Sequence, residues 1–389
     1  MCEFTVNAAN DTVHHYGYAN ETKVVAVAGH SYHENGTSHK LVVTAGNVVI
    51  ENSGVVFDLA ATEGATATVS NNGGNVMSSS VSTVAGTGTF EIGSLEQLEA
   101  FRDATNSGET FENKTVNLNK DIELKKAWQP ISNYNRSSES TTSIYWFKGT
   151  FDGKNHTISG LTNVGLRKSE MNNGRNETTL PGNNECTYGL FASVKDAVIK
   201  NLKLKAVEIR QDNELTPDGV GALVGYYAGA TQHEEANISN ITVAGSINGS
   251  DNVGGVFGRA RGTYFKVSNI TLEANSSVAS TFKAAGVGQV LSNTAIFDTC
   301  VSHANVSSSS TLNGTNNAYN SAAGIGIIWA NTGSYVTALT LTGCSCDGTV
   351  TSGNPNAPVS QMVLDYSPKT IMETNGTWAF SGGSWTKTA

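Results

Sequence analysis

Short runs of β-branched and aromatic residues fill the chain. They include Lys23-Val-Val-Ala-Val27, Leu41-Val-Val-Thr44, Val48-Val-Ile50 and Val55-Val-Phe-Asp-Leu59, and the apolar-polar alternations Ile241-Thr-Val243 and Ile270-Thr-Leu272. Each run is short and bounded by Gly, Asn or Ser, which is the pattern of strands rather than helices. One segment has the helical period instead. Ser94 can cap it, Gln97 stands at the third position of a capping box, and Leu95, Leu98 and Phe101 fall on one side.

The strand-like runs return in a fixed order. The phrase apolar, polar, small or Asn, apolar occurs at Ile158–Leu161, Ile199–Leu202, Ile238–Ile241, Val267–Ile270, Phe297–Cys300 and Leu341–Cys344. A second phrase precedes it in the later units: Tyr188-Gly-Leu-Phe-Ala192, Gly221-Ala-Leu-Val-Gly225, Gly254-Gly-Val-Phe-Gly258, Ala285-Gly-Val-Gly288 and Ala323-Gly-Ile-Gly326. With Gly189, Ala222, Gly255, Gly286 and Gly324 taken as equivalent, the steps are 33, 33, 31 and 38 residues, within the range of solenoid repeats. A unit of about 30 residues with two or three short strands predicts one coil of a parallel β-helix, each strand pairing with its counterpart one coil on. Leu202, Ile241, Ile270, Cys300 and Cys344 are then one inward column. Asn201, Asn240 and Asn269 share a stacked corner where Asn tolerates the left-handed backbone.

The fold class that follows is all-β: a right-handed parallel β-helix preceded by a small β-sandwich-like domain and one capping helix. Residues 1–90 form the sandwich-like domain, with a hairpin signal at Asn35-Gly36 and a Ser/Thr/Gly linker over 71–89. Residues 91–352 form the β-helix, opened by the helix that covers its apolar end and interrupted by a polar insertion over 163–187. Residues 353–389, with Trp378 and Trp385, read as C-terminal capping strands.

The stretch Phe147-Lys-Gly-Thr-Phe-Asp-Gly-Lys-Asn-His-Thr-Ile-Ser-Gly-Leu161, with the Gly-apolar-apolar-Gly repeats after it and Ile92–Phe101 before it, resembles the GLUG-motif β-helix surface proteins of gut bacteria. The resemblance covers roughly residues 90 to 352. It implies a surface or adhesin-like protein, sometimes preceded by a fimbrillin-like β-domain, and it implies no activity. The worn Gly pattern at 284–289 and 322–327 departs from it and leaves the register there open.

Composition narrows the function classes. A formal net charge of -9 argues against a phosphate-binding surface, so no nucleic-acid partner is expected. Only 15% of residues are charged, yet 38% are hydrophobic, too many for a disordered chain. Five cysteines without a CxxC pair form neither a disulfide framework nor a zinc signature. No apolar run is long enough to span a membrane and no leader is visible. Met1-Cys2 is read either as a mature lipoprotein start with a lipid anchor at Cys2 or as an ordinary free cysteine.

Candidate chemistry is sparse. His14, His15, His30, His33 and His39 cluster near the start, but adjacent His14 and His15 point to opposite faces of a strand and His30/His33 lacks helical ligand spacing, so no metal is expected. Asp196, Asp251, Asp298 and Asp347 share no strand position, so the paired carboxylates of a glycoside hydrolase are missing, and no Gly-rich loop suggests a cofactor. The frequent Asn-x-Ser/Thr tripeptides follow from Asn turns that precede Thr strands. The expected role is an extracellular, cell-surface adhesin or fimbria-associated protein that binds surface glycans or proteins. Arg167, Lys168 and Arg175 of the insertion are its candidate binding residues. The alternative is a carbohydrate-active β-helix enzyme, a polysaccharide lyase or glycoside hydrolase.

Overall fold

The computed structural model describes residues 2–27, 31–71, 74–79, 89–106, 108–132, 145–164, 166, 187–210, 219–229, 232–310, 320–329, 336–365 and 370–389. The fold is all-β with a single helix among these residues. The chain divides into two compact units, residues 1–122 with 149–152, and residues 123–148 with 153–389. The first boundary therefore lies beyond the helix, not before it at residue 90.

In the first unit, strands Glu3–Ala8, Tyr18–Val27, Thr37–Val43, Val55–Ala61 and Asn75–Ser79 form one sheet. Strands Val13–His15, Ser31–Glu34, Asn47–Asn52 and Thr66–Asn71 form a second. The two share one core, in which Val24, Leu41, Val43 and Leu59 meet Tyr32, Val48 and Ile50. Two sheets over one core fit a sandwich-like reading, but the pairing does not. The chain alternates between the sheets, and every registered strand pair within residues 1–79 is parallel, as in Glu21 beside Lys40 and Lys40 beside Asp58. Asn35-Gly36 is accordingly no hairpin. It carries the chain from one sheet to the other, as Gly17 and Gly54 do in the neighbouring coils. These glycines are required by close approach: a Cβ on Gly36 would lie 2.2 Å from the Gly17 carbonyl oxygen, and one on Gly54 2.1 Å from that of Gly36.

Beside this corner lies a buried carboxylate. Glu34 is fully buried and accepts hydrogen bonds from the Tyr32 hydroxyl (3.2 Å), the Ser38 hydroxyl (2.5 Å) and the Gly36 amide (2.9 Å). His15 Nδ1 stands 2.9 Å from Glu34 Oε1, and because a carboxylate only accepts, that nitrogen carries the proton. Burial and the adjacent carboxylate push the Tyr32 hydroxyl well above its usual range. One coil on, Asn52 takes the register position of Glu34 and likewise accepts from the glycine amide two residues later, Gly54 (3.1 Å).

The helix, Leu95–Asn106, has the expected cap: the Gln97 amide donates to Ser94 Oγ (3.3 Å), while Gln97 Oε1 accepts from the Gly93 amide (2.7 Å). Leu98 and Phe101 are buried. Phe101 packs against Phe90, Phe111 and Phe151 with centroids 4.8 to 6.0 Å apart. The helix is not a plug over an open end. It joins Thr89–Ile92 to Thr115–Leu118, two strands that pair in parallel, which makes it the crossover inside one coil.

The second unit repeats a longer coil. Ile199, Ile238, Val267, Phe297 and Leu341 pair in succession, as do Leu202, Ile241, Ile270 and Cys300, all in parallel. This is the pairing pattern of a parallel β-helix, and the register is continuous through 284–289 and 322–327. Leu202, Ile241, Ile270, Cys300 and Cys344 are all buried, the inward column that the sequence predicts. The small-residue column is also in register: the Gly255 amide donates to Gly286 (2.8 Å), and a Cβ on Gly255 would lie 2.2 Å from that carbonyl oxygen. Gly376–Ser381 pairs antiparallel with both Ala338–Thr342 and Ser384–Lys387, so Trp378 and Trp385 lie in antiparallel strands that join the sheet of the coils.

At the corner between the inward positions, Asn201, Asn240, Asn269, Thr299 and Gly343 have φ of 57°, 53°, 53°, 54° and 60°. Asn240 Nδ2 donates to Asn201 Oδ1 (2.8 Å) and Asn269 Nδ2 to Asn240 Oδ1 (2.5 Å). Asn240→Ala is expected to cost about 1–2 kcal/mol, through left-handed strain and two lost amide bonds. Asn240→Gly relieves the strain alone and should recover part of it. Urea denaturation of the two variants checks this, and equal losses would contradict it.

Burial pushes the hydroxyls of Tyr188 and Tyr227 upward. Their folded pKa values lie above the unfolded ones, so this stability is present below about pH 10 and is lost as pH rises further, when the unfolded chain ionises first. The second unit is expected to unfold at progressively lower urea between pH 8 and pH 11. Tyr227→Phe should flatten part of that slope, and a midpoint independent of pH would refute the effect.

Candidate functional site

The insertion residues Arg167, Lys168 and Arg175 lie outside the described residues. The two ends of the insertion are defined. Asn163 is held by a reciprocal pair with Arg210, its Nδ2 donating to the Arg210 carbonyl (2.6 Å) and its Oδ1 accepting from the Arg210 amide (2.8 Å). Thr187 begins the strand Thr187–Tyr188.

The polar surface that the repeat does build is the outward side of the long strands Val198–Ile209, Ile238–Gly249, Phe257–Leu272 and Gly288–Ser302. Alternation sends every second side chain out, and parallel register lines these up in rows. One row reads Lys200, Ser239, Ser268, Asp298 and Thr342, and another Lys203, Thr242, Thr271 and Val301. The Asn201–Asn240–Asn269 corner runs beside them. Hydroxyls and amides dominate this face, which can donate and accept hydrogen bonds at a spacing of about 4.8 Å between coils.

Among the described residues, the acids singled out in the coils lie apart. Asp251 pairs with Lys283 (2.8 Å) and Asp347 with His303 (2.7 Å), while Asp298 lies in a row whose neighbours are Ser268 and Thr342. In the first unit, His14 stacks on His33 with centroids 4.2 Å apart, whereas His15 faces the other way to Glu34. Among the described residues no three His, Cys, Asp or Glu side chains gather as a metal site requires. Cys2, Cys300, Cys344 and Cys346 are free thiols, Cys2 exposed and Cys300 and Cys344 buried. No described helix is long and apolar enough to cross a membrane.

No protein-family model matches the chain. It is similar to halomucin of Haloquadratum walsbyi, 28% identical over 169 residues, which is 43% of this chain and 2% of halomucin. The chain thus spans a small fraction of that relative's length. Among solved structures, a candidate immunoglobulin A1 protease from Bacteroides ovatus aligns over 71% of this chain and 83% of its own, with 14% identity and a TM-score of 0.40.

Proposed function

We propose that the chain is an extracellular, cell-surface binding protein of adhesin or fimbria-associated type, whose rows of Ser, Thr, Asn and Lys meet surface glycans or proteins. The observation that carries this reading is the register itself. Outward polar side chains repeat from coil to coil on a rigid sheet, so many weak contacts add along one ligand. The partial likeness to halomucin and the resemblance of residues 90–352 to bacterial surface proteins support the exterior setting. The absence of converging acids among the described residues favours binding over hydrolysis.

The test is attachment of the purified chain to glycan arrays and to cells. Thr242→Arg with Thr271→Arg places bulk and charge on adjacent positions of the face. It should reduce attachment at least tenfold at an unchanged melting temperature, and attachment equal to wild type would remove the face from the reading. Replacing residues 164–186 by a Gly-Ser link separately tests Arg167, Lys168 and Arg175 as contacts. Depolymerisation of any polysaccharide by the purified chain would put a carbohydrate-active enzyme in the adhesin's place.

A further inference from the structure

We propose that the first unit carries a second binding site, for the basic side chain of a peptide, in a cleft of about 380 Å³ between the helix and three stacked turns. One wall is formed by the turns at 16–18, 35–37 and 53–55, the other by Ser94, Glu96, Gln97, Glu99, Ala100 and Asp103. Gly17, Gly36 and Gly54 form a floor of bare backbone. A Cβ on Gly36 would lie 2.2 Å from the Gly17 carbonyl oxygen and one on Gly54 2.1 Å from that of Gly36, so glycine at these positions lets the three turns stack backbone on backbone.

Charge selects the ligand class. Glu96, Glu99 and Asp103 follow at i, i+3 and i+7 and so share one helix face, and the lining contains no Lys, Arg or His. Arg102 pairs with Asp103 (2.8 Å) and lies 3.9 Å from Glu99 but is not part of the lining, so the wall keeps a net negative charge. At the mouth, Tyr16 is 75% exposed and offers a ring face, the geometry that attracts an ammonium or guanidinium group. Tyr18 also lines the cleft, beside Tyr16.

Other ligand classes fit less well. Three carboxylates exclude an anion. A divalent cation needs several oxygens converging at about 2.3–2.6 Å, and no such group is present among the described residues. A neutral or amino sugar needs polar partners all round, whereas Val55, Ala100 and the glycine floor suit the aliphatic stem of lysine or arginine. The cleft lies wholly in the first unit and the polar face in the second, so the two readings fail separately.

The experiment is titration calorimetry of the full chain with acetyl-Gly-Lys-Gly-amide and its Nε-acetyl-lysine counterpart, with glucosamine and calcium as competitors. The lysyl peptide should bind at least tenfold more tightly than the acetylated one and weaken as salt rises. Tyr16→Ala, a surface change, and Glu96→Gln with Glu99→Gln should each weaken it about tenfold, with an unchanged circular dichroism spectrum. Equal binding of the acetylated peptide, no binding of the lysyl peptide at millimolar concentration, indifference to both variants, or preferential binding of glucosamine or calcium would each overturn the proposal.

Discussion

Ile241→Asp is expected to destabilise the second unit by about 4 kcal/mol or more, because it removes a fully packed side chain and places an unpaired carboxyl in an apolar column. Ile241 is buried between Leu202 and Ile270 on the neighbouring coils, with no charged side chain among the described members of that column. The readout is specific. All five tryptophans, at positions 128, 146, 329, 378 and 385, belong to the second unit, so tryptophan fluorescence in urea follows that unit alone. A midpoint within a few per cent of wild type would mean that the column is not a core.

Glu34→Ala is expected to cost the first unit about 3–5 kcal/mol, because this fully buried carboxylate is the common acceptor of a hydrogen-bond network. Its removal takes an acceptor from four groups at once: the Tyr32 and Ser38 hydroxyls, the Gly36 amide and the His15 ring N–H. Ser38 also shares a hydrogen bond with Thr22 (2.6 Å), so the loss spreads across four strands. Glu34→Gln keeps one acceptor and should cost clearly less. Far-ultraviolet circular dichroism should report the change while the tryptophan transition stays in place. A shift of the tryptophan transition alone would contradict the assignment of this network to the first unit.

The two variants differ in how readable their sites are. Ile241 belongs to a phrase said six times at a nearly constant spacing, and a repeated phrase carries its own register. Glu34 carries no such mark, because a single acid in a short strand is ordinarily a solvated one. The same contrast applies to function. The polar rows follow from alternation plus register, whereas the cleft joins Tyr16, Asn35 and Ser53 to Glu96, Glu99 and Asp103, residues up to 87 positions apart. A signal was present in part: Gly17, Gly36, Gly54 and Gly74 recur at steps of 19, 18 and 20 residues, a shorter period than the one in the second unit.

What the sequence alone determined is whatever is local or periodic. The inward column, the left-handed Asn corner, the capping box at Ser94 and the C-terminal tryptophan strands all rest on spacing, backbone preference or a cap within one turn. Tertiary structure alone decided the rest. Alternation of period two is the same in parallel and antiparallel strands, so the first 79 residues read as a sandwich until pairing showed coils. The helix has the same capping box and apolar stripe whether it plugs an end or crosses between strands, and only the pairing of Thr89–Ile92 with Thr115–Leu118 distinguishes the two. The burial of Glu34 and the depth of the cleft depend on which coils stack against each other, a property of non-local contacts that no short stretch of the chain contains.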